Sequence, residues 1–164
     1  MSVRCKYNLY LLAEETISLS EDLIANPTVT HQIASSHGTY SASSTVPVSQ
    51  AWSDTRTLAA GADALDLTAL VQAARANINF NTLKVQAVKI KASANNSAVV
   101  VFAPSGTNGY NLFGSAAGTL ALPPGAEALM IFKEGLADVS ATVKAVAITS
   151  TDTDASYSII LVAG

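Results

Sequence analysis

The sequence predicts an all-β protein, an antiparallel β-sandwich or jelly roll of about eight strands. Three observations lead there. Short apolar runs recur through the second half of the chain. Turn residues separate them at regular spacing. Amphipathic helical periodicity is scarce, with one short candidate.

The runs fall at 83–92, 98–103, 119–122, 127–133, 142–149 and 156–163. Their lengths are those of strands. Val99-Val100-Val101-Phe102 reads as a buried strand, 127–133 contains Leu129-Met130-Ile131-Phe132, and 142–149 alternates partly, with Val146 and Ile148 on one face. Asn95-Asn96, Asn108-Gly109, Pro123-Pro124-Gly125 and Asp152-Thr153-Asp154 supply turns between them; Asn-Gly in particular tolerates the positive φ of a tight turn. The one helix expected is 67–76, where Asp66 can cap and Leu67, Leu70, Val71 and Ala74 share a face. A weaker helical turn is expected near 133–140.

The first third is less regular. Residues 29–34 alternate as an edge strand, and 35–44, rich in Ser and Gly, reads as loop. Val46, Val48, Gln50 and Trp52 share one face of an extended stretch that Pro47 confines to an edge. Two parts are therefore expected: residues 1–54 as an extended N-terminal arm with edge strands, and 55–164 as the sandwich. The start of the chain has Arg4 and Lys6 before a short apolar stretch, but Asn8 interrupts it and Glu14-Glu15 follow at once. A secretory signal is not expected from that pattern.

Composition narrows the function. Charged residues are 13% of the chain and hydrophobic ones 49%, against about 25% charged in ordinary soluble domains. That excludes a disordered chain. Nine basic against twelve acidic residues, net −3, argue against an electrostatic nucleic-acid binder. No apolar run is long enough to span a bilayer as a helix, and no membrane partner is expected. One cysteine, Cys5, cannot form an internal disulfide.

No catalytic constellation emerges. His31 and His37 lack the further ligands that zinc needs, and no nucleophile elbow surrounds any serine. Asp152 and Asp154 could join a calcium site, but a hard cation needs six or more oxygens; a hydrated turn is the simpler reading. Low charge leaves few residues for chemistry, so no enzyme, cofactor or metal is expected. Trp52 reads as a packing anchor where the N-terminal segment meets a sheet or a neighbouring subunit. Val46, Val48, Trp52 and Tyr110 are the candidate interface residues.

A resemblance enters through Trp52-Ser53-Asp54-Thr55, Leu58-Ala59-Ala60-Gly61, Leu65-Asp66-Leu67-Thr68-Ala69-Leu70 and residues 83–91. It continues through Asn108-Gly109-Tyr110-Asn111-Leu112-Phe113-Gly114, Leu120-Ala121-Leu122-Pro123-Pro124-Gly125 and the terminal Val162-Ala163-Gly164. Over the last two-thirds of its length the chain resembles small structural proteins of tailed-bacteriophage virions. The motifs are strand-and-turn patterns, not catalytic signatures. The resemblance implies a virion component made in the host cytoplasm, a capsid decoration protein first. Its partners would be the major capsid protein or other virion proteins, and the chain itself would form a homo-oligomer. A tail, collar or head-fibre part is the rival, and a carbohydrate-binding adhesion module, using Trp52, Tyr110 or Asp152/Asp154, is the alternative from another class.

Overall fold

The computed structural model describes residues 3–16, 28–71, 77–114 and 118–164. Ten strands are defined: β1 (Cys5–Thr16), β2 (Thr28–Tyr40), β3 (Gln50–Thr57), β4 (Ala62–Asp66), β5 (Val85–Ala92), β6 (Val100–Pro104), β7 (Leu120–Leu122), β8 (Glu127–Ile131), β9 (Ala145–Thr149) and β10 (Ser156–Ala163). They form two four-stranded sheets, ordered β3-β10-β5-β8 and β4-β9-β6-β7, and a separate two-stranded ribbon, β1-β2. Every strand pairing is antiparallel.

The pairing is nested. β3 pairs with β10, β4 with β9, β5 with β8 and β6 with β7. The first sandwich strand therefore meets the last, the second meets the second-last, and so inward. That arrangement is a long double-stranded ribbon rolled over two sheets, the β jelly roll of eight strands. The expected sandwich is present with its eight strands, and β1 and β2 are additional to it.

Period-two alternation explains the packing. In the first sheet Trp52, Leu161, Val88 and Met130 are aligned across four strands, and Ile159 and Ile90 form the next inward row. In the second, Leu65, Val146, Ile148, Phe102, Val100 and Leu122 point the same way. All but Met130 are buried, in one continuous core. Across the sheets, Phe102 and Tyr157 meet edge to face, ring centroids 5.1 Å apart, which adds about 0.5–1.5 kcal/mol beyond area burial.

Side chains also replace backbone at the loops. Asn96 donates through Nδ2 to the Ser156 carbonyl (3.0 Å) and accepts from the Ser156 N–H (2.8 Å), tying the β5–β6 loop to the start of β10. Between β3 and β4, Gly61 takes φ +77°, and a Cβ there would lie 2.5 Å from the Ser150 carbonyl oxygen.

Three local expectations are corrected. No helix occurs among the described residues. At 67–71 the chain turns, and Leu70 bridges to Ile78 through two backbone bonds of 2.9 and 2.8 Å. Asp66 does accept the Thr68 N–H, as a cap would, but Leu67 and Leu70 are drawn into the sandwich core and 67–71 are turn and bridge rather than helix. The remainder of that expected helix, 72–76, lies outside the described residues. The stretch 133–140 is a pair of turns, with Asp138 bridging to Lys84. The expected loop at 35–44 is strand as far as Tyr40, because pairing with β1 supplies the ladder that Ser and Gly do not favour alone. β3 runs continuously across residues 54 and 55.

Candidate functional site

The outer face of the first sheet is built in rows. Ala51, Val162, Ala87 and Ile131 align across it, then Ser53, Ile160, Lys89 and Leu129, then Thr55, Ser158, Lys91 and Glu127. The first row is apolar and the third is polar. The ribbon root sits at the apolar end. Tyr40, Val48, Ala87 and Val162 form a second buried cluster, with Val3, Cys5, Tyr7 and Ile131 packed against it. Tyr7 stacks on Tyr40 across the ribbon, centroids 5.6 Å apart. Gly38 makes room for that ring, since a Cβ there would lie 2.6 Å from Tyr7 Oη.

This seat is imperfect. Tyr40 Oη and Gln86 Oε1 are buried without a hydrogen-bond partner. Each such atom costs about 1–3 kcal/mol, comparable with what one buried aliphatic side chain contributes. The Gln86 amide does use its other end, donating from Nε2 to the Val46 carbonyl at 2.8 Å. Burial pushes the Tyr40 phenol and the Cys5 thiol up from their ordinary values, which makes the thiol a poor nucleophile. A cavity of about 370 Å³ lies on the polar side of the same face, against Thr55, Lys91 and Ser158. Another of about 420 Å³ lies at the root, between Tyr7, Tyr40, Val46 and Lys133. A third, about 320 Å³, separates Asn8, Leu9 and Tyr10 of the ribbon from Lys89 and Leu129 of the sheet.

The outer face of the second sheet differs in chemistry. Ala62, Thr149, Val101 and Ala121 align across it, followed by Ala64, Ala147 and Ala103. Its one charged position in these rows is Asp66, beside Ala145, and Lys144 Nζ neutralises that carboxylate at 2.6 Å. A shallow cleft of about 500 Å³ continues the face past Val99 and Thr151.

The strongest polar cluster closes the side of the sandwich where β3 and β4 are both edges. Arg56 donates to both carboxylate oxygens of Asp63, from Nε at 2.6 Å and Nη2 at 2.9 Å. Tyr157 Oη donates to Asp63 Oδ2 at 2.7 Å, and the Ala64 N–H to Oδ1 at 2.8 Å. Burial raises the Asp63 carboxyl, but the Arg56 and Tyr157 hydrogen bonds outweigh it and hold it below its usual value. Burial, then the Asp63 carboxylate, pushes the Tyr157 phenol up. A bidentate pair with every oxygen occupied is a structural clasp, with no acid or base left free. Inward-facing charge on an edge strand also discourages edge-to-edge pairing.

The expected interface residues divide. Trp52 and Tyr110 are each 1% exposed and belong to the main core. Trp52 Nε1 donates to the Val71 carbonyl at 2.8 Å, and Tyr110 Oη to the Ala137 carbonyl at 2.7 Å. Both rings serve internal packing, so neither offers a platform for stacking a sugar. Val48 is buried in the ribbon-root cluster, and Val46 is half-buried beside it. The structure thus gathers Val46 and Val48 at the root and leaves Trp52 and Tyr110 inside the sandwich.

Asp152 is occupied by the backbone. Its Oδ2 accepts the Ser97 N–H at 2.6 Å and its Oδ1 the Asp154 N–H at 3.2 Å, and those bonds lower its carboxyl from the usual value. It joins the β9–β10 loop to the β5–β6 loop. His37 is exposed on β2 and pairs in register with Asn8. The side chain of His31 lies outside the described residues. Among the described residues, no three His, Cys, Asp or Glu side chains gather where they could hold a metal ion, and no helix is long and apolar enough to cross a membrane.

Fold and surface together define an eight-stranded jelly roll with a ribbon seated on one outer face. No protein-family model and no curated protein matches the chain. Among solved structures, it is similar to a chain in the X-ray structure of Tomato aspermy virus, at 13% identity and a TM-score of 0.40. That match covers 70% of this chain and 76% of the viral one.

Proposed function

We propose that this chain is a non-enzymatic structural protein of a virus particle, working by packing against neighbours. Within that class the reading we favour is a capsid decoration protein that binds the major capsid lattice and stabilises it by bridging subunits. The observation that carries the reading is the ribbon. It joins neither sheet of the sandwich and is connected to β3 by one segment. A 12-residue strand is about 40 Å long, whereas the eight-residue β10 is about 26 Å. The ribbon therefore exceeds the sheet on which it sits and has length to spare for a neighbouring subunit. The alanine-rich outer face of the second sheet adds a surface with little charge to desolvate on contact. The jelly roll suits both, as a fold common to viral shells and also to lectins and cupins, so the fold alone does not decide.

Copy number tests the reading. A decoration protein is expected in hundreds of copies per particle, by quantitative gel densitometry of purified virions. A few copies would move the chain to a tail, collar or head-fibre position. Absence from purified particles would overturn the structural role.

A further inference from the structure

We propose that the ribbon is exchangeable: its root leaves the seat on its own first sheet and occupies the same seat on a second copy of this chain, reciprocally. This deepens the structural reading above and rests on it.

The connectivity permits the exchange. The ribbon's ladder is internal, and one connection, 41–49, joins it to β3. Turning that connection breaks no ladder bond in any sheet. Its far end is fixed, because the Ser49 N–H donates to the Ala163 carbonyl at 3.0 Å and Gln86 holds the Val46 carbonyl. Pro47 stiffens that end further. The near end is held to itself through Ser41, Ser43 and Ser44, and to the far end by a single backbone bond, from the Val48 N–H to the Ser41 carbonyl at 3.0 Å. The pivot is therefore 41–45, and turning it opens that one bond.

The seat favours separation over permanence. Two buried polar atoms lack partners there, Tyr40 Oη and Gln86 Oε1, while the apolar part is a handful of side chains. Just past the root, Leu9 and Tyr10 stay 38% and 56% exposed above the cleft that separates them from β8. The surface complementary to this seat is the ribbon root itself. A second copy supplies it with no new sequence requirement, and reciprocal exchange closes as a two-fold pair.

Cys5 provides the test, being the only cysteine and lying in the root cluster with Ala87. The full-length wild-type chain is co-expressed with a full-length, mass-tagged C5S/A87C variant. The purified mixture is treated with a short bismaleimide, and cross-linked peptides are identified by mass. In this mixture a link from Cys5 to position 87 can form only between copies. The expected result is that cross-copy link, in a yield that rises with protein concentration. The single A87C variant, which can link within one chain, reports the unexchanged ribbon. Linkage between positions 5 and 87 confined to single chains at every concentration would overturn the exchange. Virions carrying hundreds of copies with a ribbon fixed in this way would leave the structural role standing while removing the exchange.

Discussion

The sandwich core and the ribbon root are both apolar clusters, yet they are held differently. In the core, inward rows from two sheets interlock, and the polar groups of Trp52, Tyr110 and Tyr157 each find a partner. At the root, a few side chains meet one face of one sheet, and two polar atoms are buried unpaired. An isolated two-stranded ribbon is marginal in water, so β1 and β2 depend on that seat or on a partner. The contrast separates a part built to stay folded from a part that can be remounted. Mutations that act on one and spare the other test this division.

The largest effect is expected in the core. Phe102 is fully buried against Tyr157. Phe102→Ala should cost about 3–5 kcal/mol, measured by urea unfolding of the full chain. A loss below about 1 kcal/mol would mean that the sandwich is not the cooperative unit.

The next effect belongs to the clasp at β3 and β4. Asp63→Asn keeps the shape but leaves Arg56 without its carboxylate, and should cost about 2 kcal/mol at neutral pH, as for hydrogen bonds to charged groups. The pH dependence follows from the lowered Asp63 value. The folded state holds this proton less tightly than the unfolded state, whose carboxyl titrates near ~3.9. The stabilisation is complete above that value and is lost as pH falls through the lower folded value. The gap between wild type and D63N should therefore stay constant from neutral pH to about 5 and close below about 4.

Tyr110 gives a smaller effect of opposite pH sense. Burial pushes its phenol up to about 12, while the unfolded phenol ionises near ~10. Its contribution is complete below the unfolded value and falls as pH rises toward the folded one. Tyr110→Phe removes the bond to the Ala137 carbonyl, costing about 1 kcal/mol at neutral pH. It should also flatten the fall of stability between pH 10 and 12, read from thermal melting across that range.

Much of the sandwich was legible in the sequence because inward alternation and turn chemistry agree. The expected strand 156–163 coincides with β10. The strand expected at 83–92 starts two residues later, at Val85, just past the register shift between Val162 and Ala163, although Lys84 still exchanges two backbone bonds with Gly164. The β2 segment near Gly38 was hidden, since its strand character comes from partners on β1 some thirty residues away. The first half of the helix expected after Asp66, 67–71, is turn for a similar reason: the cap is present, but tertiary contacts claim Leu67 and Leu70. Trp52 and Tyr110 stand out in the sequence as large aromatics, and composition does not tell an internal anchor from an external one. The Arg56–Asp63 clasp does leave a signal in the sequence. Opposite charges flank the Gly61 turn in a chain with only 13% charged residues.

The smallest expected effect on the sandwich comes from Gly38→Ala, and it tests the division most closely. A Cβ at position 38 would lie 2.6 to 2.8 Å from the Tyr7 ring. Backbone is not in the way, so the ring swings off and the stack on Tyr40 is lost. If the root is a separate unit, the unfolding midpoint of the sandwich should move by less than about 0.5 kcal/mol. The Cys5 thiol, half-buried beside that ring, should meanwhile react several-fold faster with a disulfide reagent, since loss of burial lowers its raised pKa. An unfolding shift as large as that of Phe102→Ala would show that ribbon and sandwich melt together, and the division between fixed and movable parts would not hold.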